Sequence, residues 1–128
     1  MQFNWEDFDN WQAAKDNEGI HVTVNKRGHF YFNGRAIKAL GDPDTVMLMY
    51  DRQLKVVGIK AALSGHKRGF RVFAKQGDKL KGRSVYATRF CLHFSIRPER
   101  TYAFSSAKFT EDGVLVLDLN DIRPAKRR

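Results

Sequence analysis

"VTVNKRGHFYFNGRAIKALGDPDTVMLMYDRQLKVVGIKAAL", residues 22–63, decides the fold class. Ile20, Val22 and Val24 alternate with His21, Thr23 and Asn25, the period-two pattern of a half-buried strand. Asn25-Lys26-Arg27-Gly28 then reverses the chain, Gly28 being able to take the positive φ that a tight hairpin needs. "HFYF" is the return strand. In "NGRAIKALG", Asn33 is placed to cap a short helix, Ile37 and Leu40 face inward, and Gly41 ends it. "DPDT" is a turn with φ fixed by Pro43. "VMLMYD" and "LKVVGIKA" are strands joined across Arg52-Gln53. The order is strand, strand, helix, strand, strand.

The rest of the chain reads as a looser copy. "HKRGFRVFA" (66–74) parallels "NKRGHFYFN" (25–33), matching Lys67-Arg68-Gly69 to Lys26-Arg27-Gly28. After the polar loop "KQGDKLKGRS", the stretch "VYATRFCLHFSI" is the place for a second short helix or a strand running into one. "RTYAFSSAKF" and "GVLVLDL" read as strands across "TEDG", where Asp112-Gly113 is a strong hairpin signal. A true duplication and a chance match of basic triplets both remain open at this point.

Before Ile20, Trp5, Phe8 and Trp11 recur every three residues, one face of a short amphipathic helix with Glu6, Asp7 and Asp9 on its other sides. Packing onto the body and docking of a partner are the two readings of that face. The chain is expected to be one domain, with an acidic helix at 1–19, a first half at 20–63, a second at 64–121 and a basic tail at 122–128. That tail, with Arg123, Lys126, Arg127 and Arg128, reads as a mobile, solvated end or as an extra phosphate contact.

The composition is 42% hydrophobic, enough for a real interior. No apolar run approaches the ~20 residues of a membrane span, and no basic-then-apolar leader is seen. A single cysteine, Cys91, has no internal disulfide partner and suits a reducing compartment, so a cytoplasmic location is expected. Net charge is +9, from 23 Lys and Arg against 14 Asp and Glu. It is unevenly spread: residues 52–108 carry 14 bases and two acids, Asp78 and Glu99. Such an excess attracts phosphate backbones or another acidic partner, although it also serves solubility.

Residues 22–62 resemble the AbrB-like (SpoVT-AbrB) swapped-hairpin DNA-binding domain. The features carrying the resemblance are "VTVNKRGHFYF", a short helix closing in "ALG", and "V.L.YD...VVGIKA". It implies a small β-barrel of two interlaced units, normally from two chains, with basic residues near the first hairpin meeting DNA. Carried over by position, Lys26, Arg27 and Arg35 are the contact candidates. The helix entrance departs from the family pattern, since "FYFNGRAI" has no proline. The expected fold class is therefore mainly β with short helices (α+β). Its form is a swapped-hairpin-like β-barrel, in one version two degenerate β-β-α-β-β halves in a single chain, with a homodimer as the other route to a complete barrel.

Motifs for catalysis are wanting. Asp42 and Asp44 sit in a proline turn and Glu111 and Asp112 in a hairpin, where turn chemistry accounts for them. Cys91-x-His93 offers two metal ligands where a structural zinc site wants four. No GxxxxGK[ST], GxGxxG or HExxH occurs. A non-enzyme with no cofactor and no metal is expected. What remains is "HKRGFRVFAKQGDKLKGR" (66–83), with Lys67, Arg68, Arg71, Lys75, Lys79, Lys81 and Arg83 against Asp78 alone. Alternation along "FRVFAK" puts Arg71 and Phe73 on one face, with the bases of the two flanking loops lining one edge. Lys and Arg neutralise phosphates, and nearby glycines admit a close backbone. The expected function is nucleic-acid binding, DNA first, with little sequence selectivity; the alternative is a protein-interaction module using Trp5, Phe8 and Trp11.

Overall fold

A computed structural model describes residues 19–74 and 82–125. Within them the first half contains β1 (Val22–Val24), β2 (His29–Phe32), α1 (Gly34–Ala39), β3 (Thr45–Asp51) and β4 (Val56–Ala61). The second contains β5 (Phe70–Ala74), β6 (Arg83–Tyr86), α2 (Thr88–His93), β7 (Tyr102–Phe104), β8 (Lys108–Phe109), β9 (Leu115–Asp118) and β10 (Ile122–Pro124). The ten described strands form one antiparallel ladder in the order β10-β7-β1-β2-β6-β5-β3-β4-β9-β8, curled into a half-barrel.

That order has a centre. From the β2–β6 pair, each direction leads through the other strand of a hairpin (β1 or β5), then the strand that follows a helix (β7 or β3), then its partner (β10 or β4). The pairing is crossed between halves. β1 lies on β7 of the second half, with Thr23 opposite Ala103, and β5 lies on β3 of the first, with Val46 opposite Phe70. The β8–β9 hairpin is an addition beyond β4.

Alternation explains the core. Val22, Val24, Phe30, Phe32, Val46, Val57, Ile59, Val85, Leu115 and Leu117 are fully buried on the concave side. Each such side chain contributes about 1.5–3 kcal/mol relative to exposure. Ala36, Ile37 and Leu40 of the α1 region and Phe90 and Cys91 of α2 close over them. Asn33 fixes the entrance to α1 without a proline. Its Oδ1 accepts from Ala36 N at 3.0 Å and from His21 N at 3.1 Å, and its Nδ2 donates to the Gly19 carbonyl. One side chain thereby caps the helix, a contribution of about 1 kcal/mol, and ties down the approach to β1. At the other end Gly41, at φ 94°, donates to Lys38 O while Asp42 N donates to Ile37 O, closing the last carbonyls as a left-handed cap does.

Several sequence expectations are corrected. The β3–β4 connection takes four residues, 52–55, because Asp51 Oδ1 accepts from both Gln53 N and Leu54 N and Lys55 sits at φ 58°. "RTYAFSSAKF" divides into β7 and β8. The expected basic tail begins as a strand: Ile122 pairs with Phe104 and Arg123 with Ala103, leaving Pro124 on a sheet edge that needs no donor from it. Cys91 and His93 lie on α2, the helix alternative read for "VYATRFCLHFSI". The expected N-terminal helix with Trp5, Phe8 and Trp11, the loop bases Lys75, Lys79 and Lys81, and Lys126, Arg127 and Arg128 lie outside the described residues. No helix among the described residues is long and apolar enough to cross a membrane.

Candidate nucleic-acid interface

Two short segments, each basic at its tip, share a pair of turn hydrogen bonds. In the first, Asn25 Oδ1 accepts from Arg27 N at 2.9 Å and Asn25 O accepts from Gly28 N at 2.9 Å. In the second, His66 Nδ1 accepts from Arg68 N at 3.0 Å and His66 O accepts from Gly69 N at 2.9 Å. An acceptor side chain ahead of Lys-Arg-Gly thus makes the same two hydrogen bonds twice, although the glycines differ, Gly28 lying at φ 82° and Gly69 outside the left-handed region. Lys26, Arg27, Lys67 and Arg68 stand exposed on the two tips. Both glycines are required by space. A Cβ at Gly28, already at φ 82°, would sit 3.1 Å from Cys91 Sγ and 3.2 Å from the Thr88 backbone, and one at Gly69 would collide with Thr45 Cγ2. Thr88 Oγ1 donates to Arg27 O at 2.7 Å, so the start of α2 braces the first tip.

The sheet then brings the tips together. Each immediately precedes a strand, β2 or β5, and both strands are antiparallel to β6 between them. β2 and β5 therefore run parallel, and the two tips precede them at the same end, the strands themselves lying two spacings or about 10 Å apart. The triplets do not match as the sequence comparison aligned them. The first is the turn of the β1–β2 hairpin, whereas the second precedes its hairpin, which is formed by β5 and β6.

On the convex side of these strands lies a row of rings. His29 faces Tyr86 in the β2–β6 register, with centroids 4.5 Å apart. Tyr86 stacks on Phe73 at 4.8 Å and 16°, and the Arg71 guanidinium lies 5.3 Å from the Phe73 centroid. Tyr86 is 53% exposed and Phe73 36%. The alternation read along β5 is therefore observed, with Phe70 and Val72 turned towards the core.

The basic end continues around α2. A cleft of about 440 Å³ lies between the first tip and α2, with Lys26, Arg27, His29 and Arg97 among its walls. Arg97 is shared with a second cleft of about 550 Å³, where Arg52 and Lys55 meet Tyr50, Phe94 and Tyr102, with Glu99 as the acid of its lining. The Arg52 guanidinium lies 4.9 Å from the Phe94 centroid. Among the described residues, no ion pair engages the side chains of Lys26, Arg27, Lys67 or Arg68. Carboxylates near these strands are spent on turns: Asp44 accepts from Thr45 Oγ1 and Ser64 Oγ, and Asp51 caps the β3–β4 connection. Burial pushes the Cys91 thiol from 9.0 up to about 11, which leaves it protonated and unreactive at neutral pH.

Compared with protein-family models, curated proteins and solved structures, the chain matches none.

Of the sequence candidates, Lys26, Arg27, Lys67, Arg68 and Arg71 are gathered at one end. Arg35 and Arg83 are not. Arg35 follows β2 in α1, at the opposite end of the sheet. Arg83 pairs with Phe32 and shares its side of the sheet, with Nη1 donating to Gly82 O at 2.9 Å. Lys75, Lys79 and Lys81 of the loop after β5 lie outside the described residues, and the expectation about the two flanking loops lies there with them. Sequence reasoning missed Tyr86, Arg97, Arg52 and Lys55. The pattern Ser84-Val85-Tyr86-Ala87 contained the signal for Tyr86, because strand alternation with Val85 inward sends its neighbours outward.

Proposed function

We propose that this protein is a non-catalytic nucleic-acid-binding protein, of the kind that serves transcriptional regulation, which grips phosphate backbones with its basic end. One observation carries the reading: two exposed Lys-Arg tips, each shaped by an acceptor side chain ahead of the lysine, precede parallel strands on either side of β6, with Arg71 beside them. Exposed guanidinium and ammonium groups on tips that precede strands about 10 Å apart can engage phosphates of one polymer together, and the nearby glycines let it approach. In favour of the swapped-hairpin resemblance is the crossed pairing of β1 with β7 and β5 with β3, an arrangement like the interlacing that the AbrB-like family obtains from two chains. The first tip coincides with the hairpin that contacts DNA in that family. Base reading has less support, because among the described residues no helix projects from this end and α2 packs its Phe90 and Cys91 into the core.

Fluorescence titration of a labelled oligonucleotide at about 50 and about 200 mM salt tests the proposal. Five phosphate contacts predict a log–log slope of about −3.5 for a single strand, a loss of roughly 100-fold over that range. Absent or salt-independent binding would remove it.

A further inference from the structure

We infer that the polymer held at this site is single-stranded, with bases stacking on the ring row of β5, β6 and β2; the inference rests on the nucleic-acid reading above. The convex face of a sheet open to water would ordinarily carry polar side chains, and β1 follows that habit with Thr23. The three strands beside it instead present Phe73, Tyr86, His29 and Tyr31, with Ser84 and Arg71 among them. On β2, β5 and β6 the described residues of this face include no carboxylate. Core packing does not account for the rings, since their neighbours Phe70, Val72, Val85 and Phe30 supply the buried side.

Rings and cations also occur together. Arg71, Phe73, Tyr86 and His29 form a continuous series of ring contacts, and the Lys26-Arg27 tip is joined to His29 through one glycine. A positively charged track beside exposed ring faces is the arrangement that takes a single strand: the cations follow its backbone while unpaired bases offer their π-faces. A duplex keeps its bases stacked inside and shows the rings only phosphate and groove edges. The surface therefore favours unpaired nucleotides over the same sequence in duplex form. The position of Tyr86 at the centre of the row makes it the principal stacking residue.

The test compares a labelled 12-nucleotide single strand with its duplex, using the full chain and the Tyr86→Ala and Tyr86→Phe variants. The single strand is expected to bind about tenfold more tightly than the duplex. Tyr86→Ala should lower single-strand affinity by roughly tenfold, the loss of one base–ring stack, leaving duplex affinity within about twofold and the salt slope unchanged. Tyr86→Phe, which keeps the ring, should retain the affinity of the parent. Thermal melts accompany each variant, and the exposure of Tyr86 predicts little change in them. Equal binding of duplex and single strand, or equal affinities for the parent and Tyr86→Ala, would overturn the inference while salt-dependent binding left the proposed function standing. Loss of affinity in Tyr86→Phe equal to that in Tyr86→Ala would overturn stacking as its cause. No salt-dependent binding of either polymer would defeat both readings.

Discussion

Reversing charge on both tips at once, Arg27→Glu with Arg68→Glu, is expected to lower oligonucleotide affinity by about 100-fold at low salt. Each reversal removes one counterion-releasing contact and sets a carboxylate where a phosphate should lie. The salt slope should fall by about 1.4, the share of two contacts on a single strand. Stability should barely change. Both side chains are exposed, and the hydrogen bonds that shape each turn use the backbone N–H of the arginine, which glutamate also has. Arg35→Glu supplies the control. It carries the same charge change at the far end of the sheet and is expected to weaken binding by no more than about threefold, through the long-range field alone. If Arg35→Glu proved as damaging as the double reversal, the cations would be acting through net charge rather than as an assembled site.

The largest stability effect is expected from Phe30→Ala. Phe30 is fully buried on β2, faces Val85 across the central β2–β6 pair, and stacks on Phe104 of β7 at 6.2 Å and 7°. Its ring therefore touches the seam between the halves and the strand that crosses from one to the other. Truncation leaves a ring-sized cavity where strands meet from three directions, and a cost of about 3–5 kcal/mol is expected. Against a total of about 5–15 kcal/mol for a domain, much of the population margin disappears. Urea unfolding followed by circular dichroism measures it through the midpoint. Tyr86→Ala on the same β2–β6 pair but on the convex side should shift the midpoint little, which separates burial from strand membership.

How much of this was legible in the sequence follows from which interactions are local. Asn33, Ile37, Leu40 and Gly41 define α1 through contacts within a few residues, so the helix and its ends were readable. So was the first hairpin, where Asn25 and Gly28 set the turn. The crossing of β1 onto β7 and β5 onto β3 joins residues tens of positions apart and leaves no periodic trace. β10 was read as a tail because Ile122 is followed by polar residues, and edge pairing asks little of side chains. The cationic residues were legible as residue types, but their grouping was not. β5 begins at one end of the sheet and finishes at the other, so Arg71 and Arg83, close in sequence, part company, while Arg27 and Arg68, far apart in sequence, precede strands that start at the same end. The repeated triplet was visible as Lys-Arg-Gly, yet what the two turns share is the preceding acceptor, Asn25 in one and His66 in the other.

The most direct measurement is a map of amide chemical-shift changes as a short single-stranded oligonucleotide is added to isotope-labelled protein. Changes should concentrate at Lys26–His29, Lys67–Arg71, Tyr86–Arg89 and Arg97, and leave the β8–β9 hairpin at 108–118 unmoved. Changes centred on that hairpin or on α1, or spread evenly over the surface, would contradict an assembled basic end on this fold.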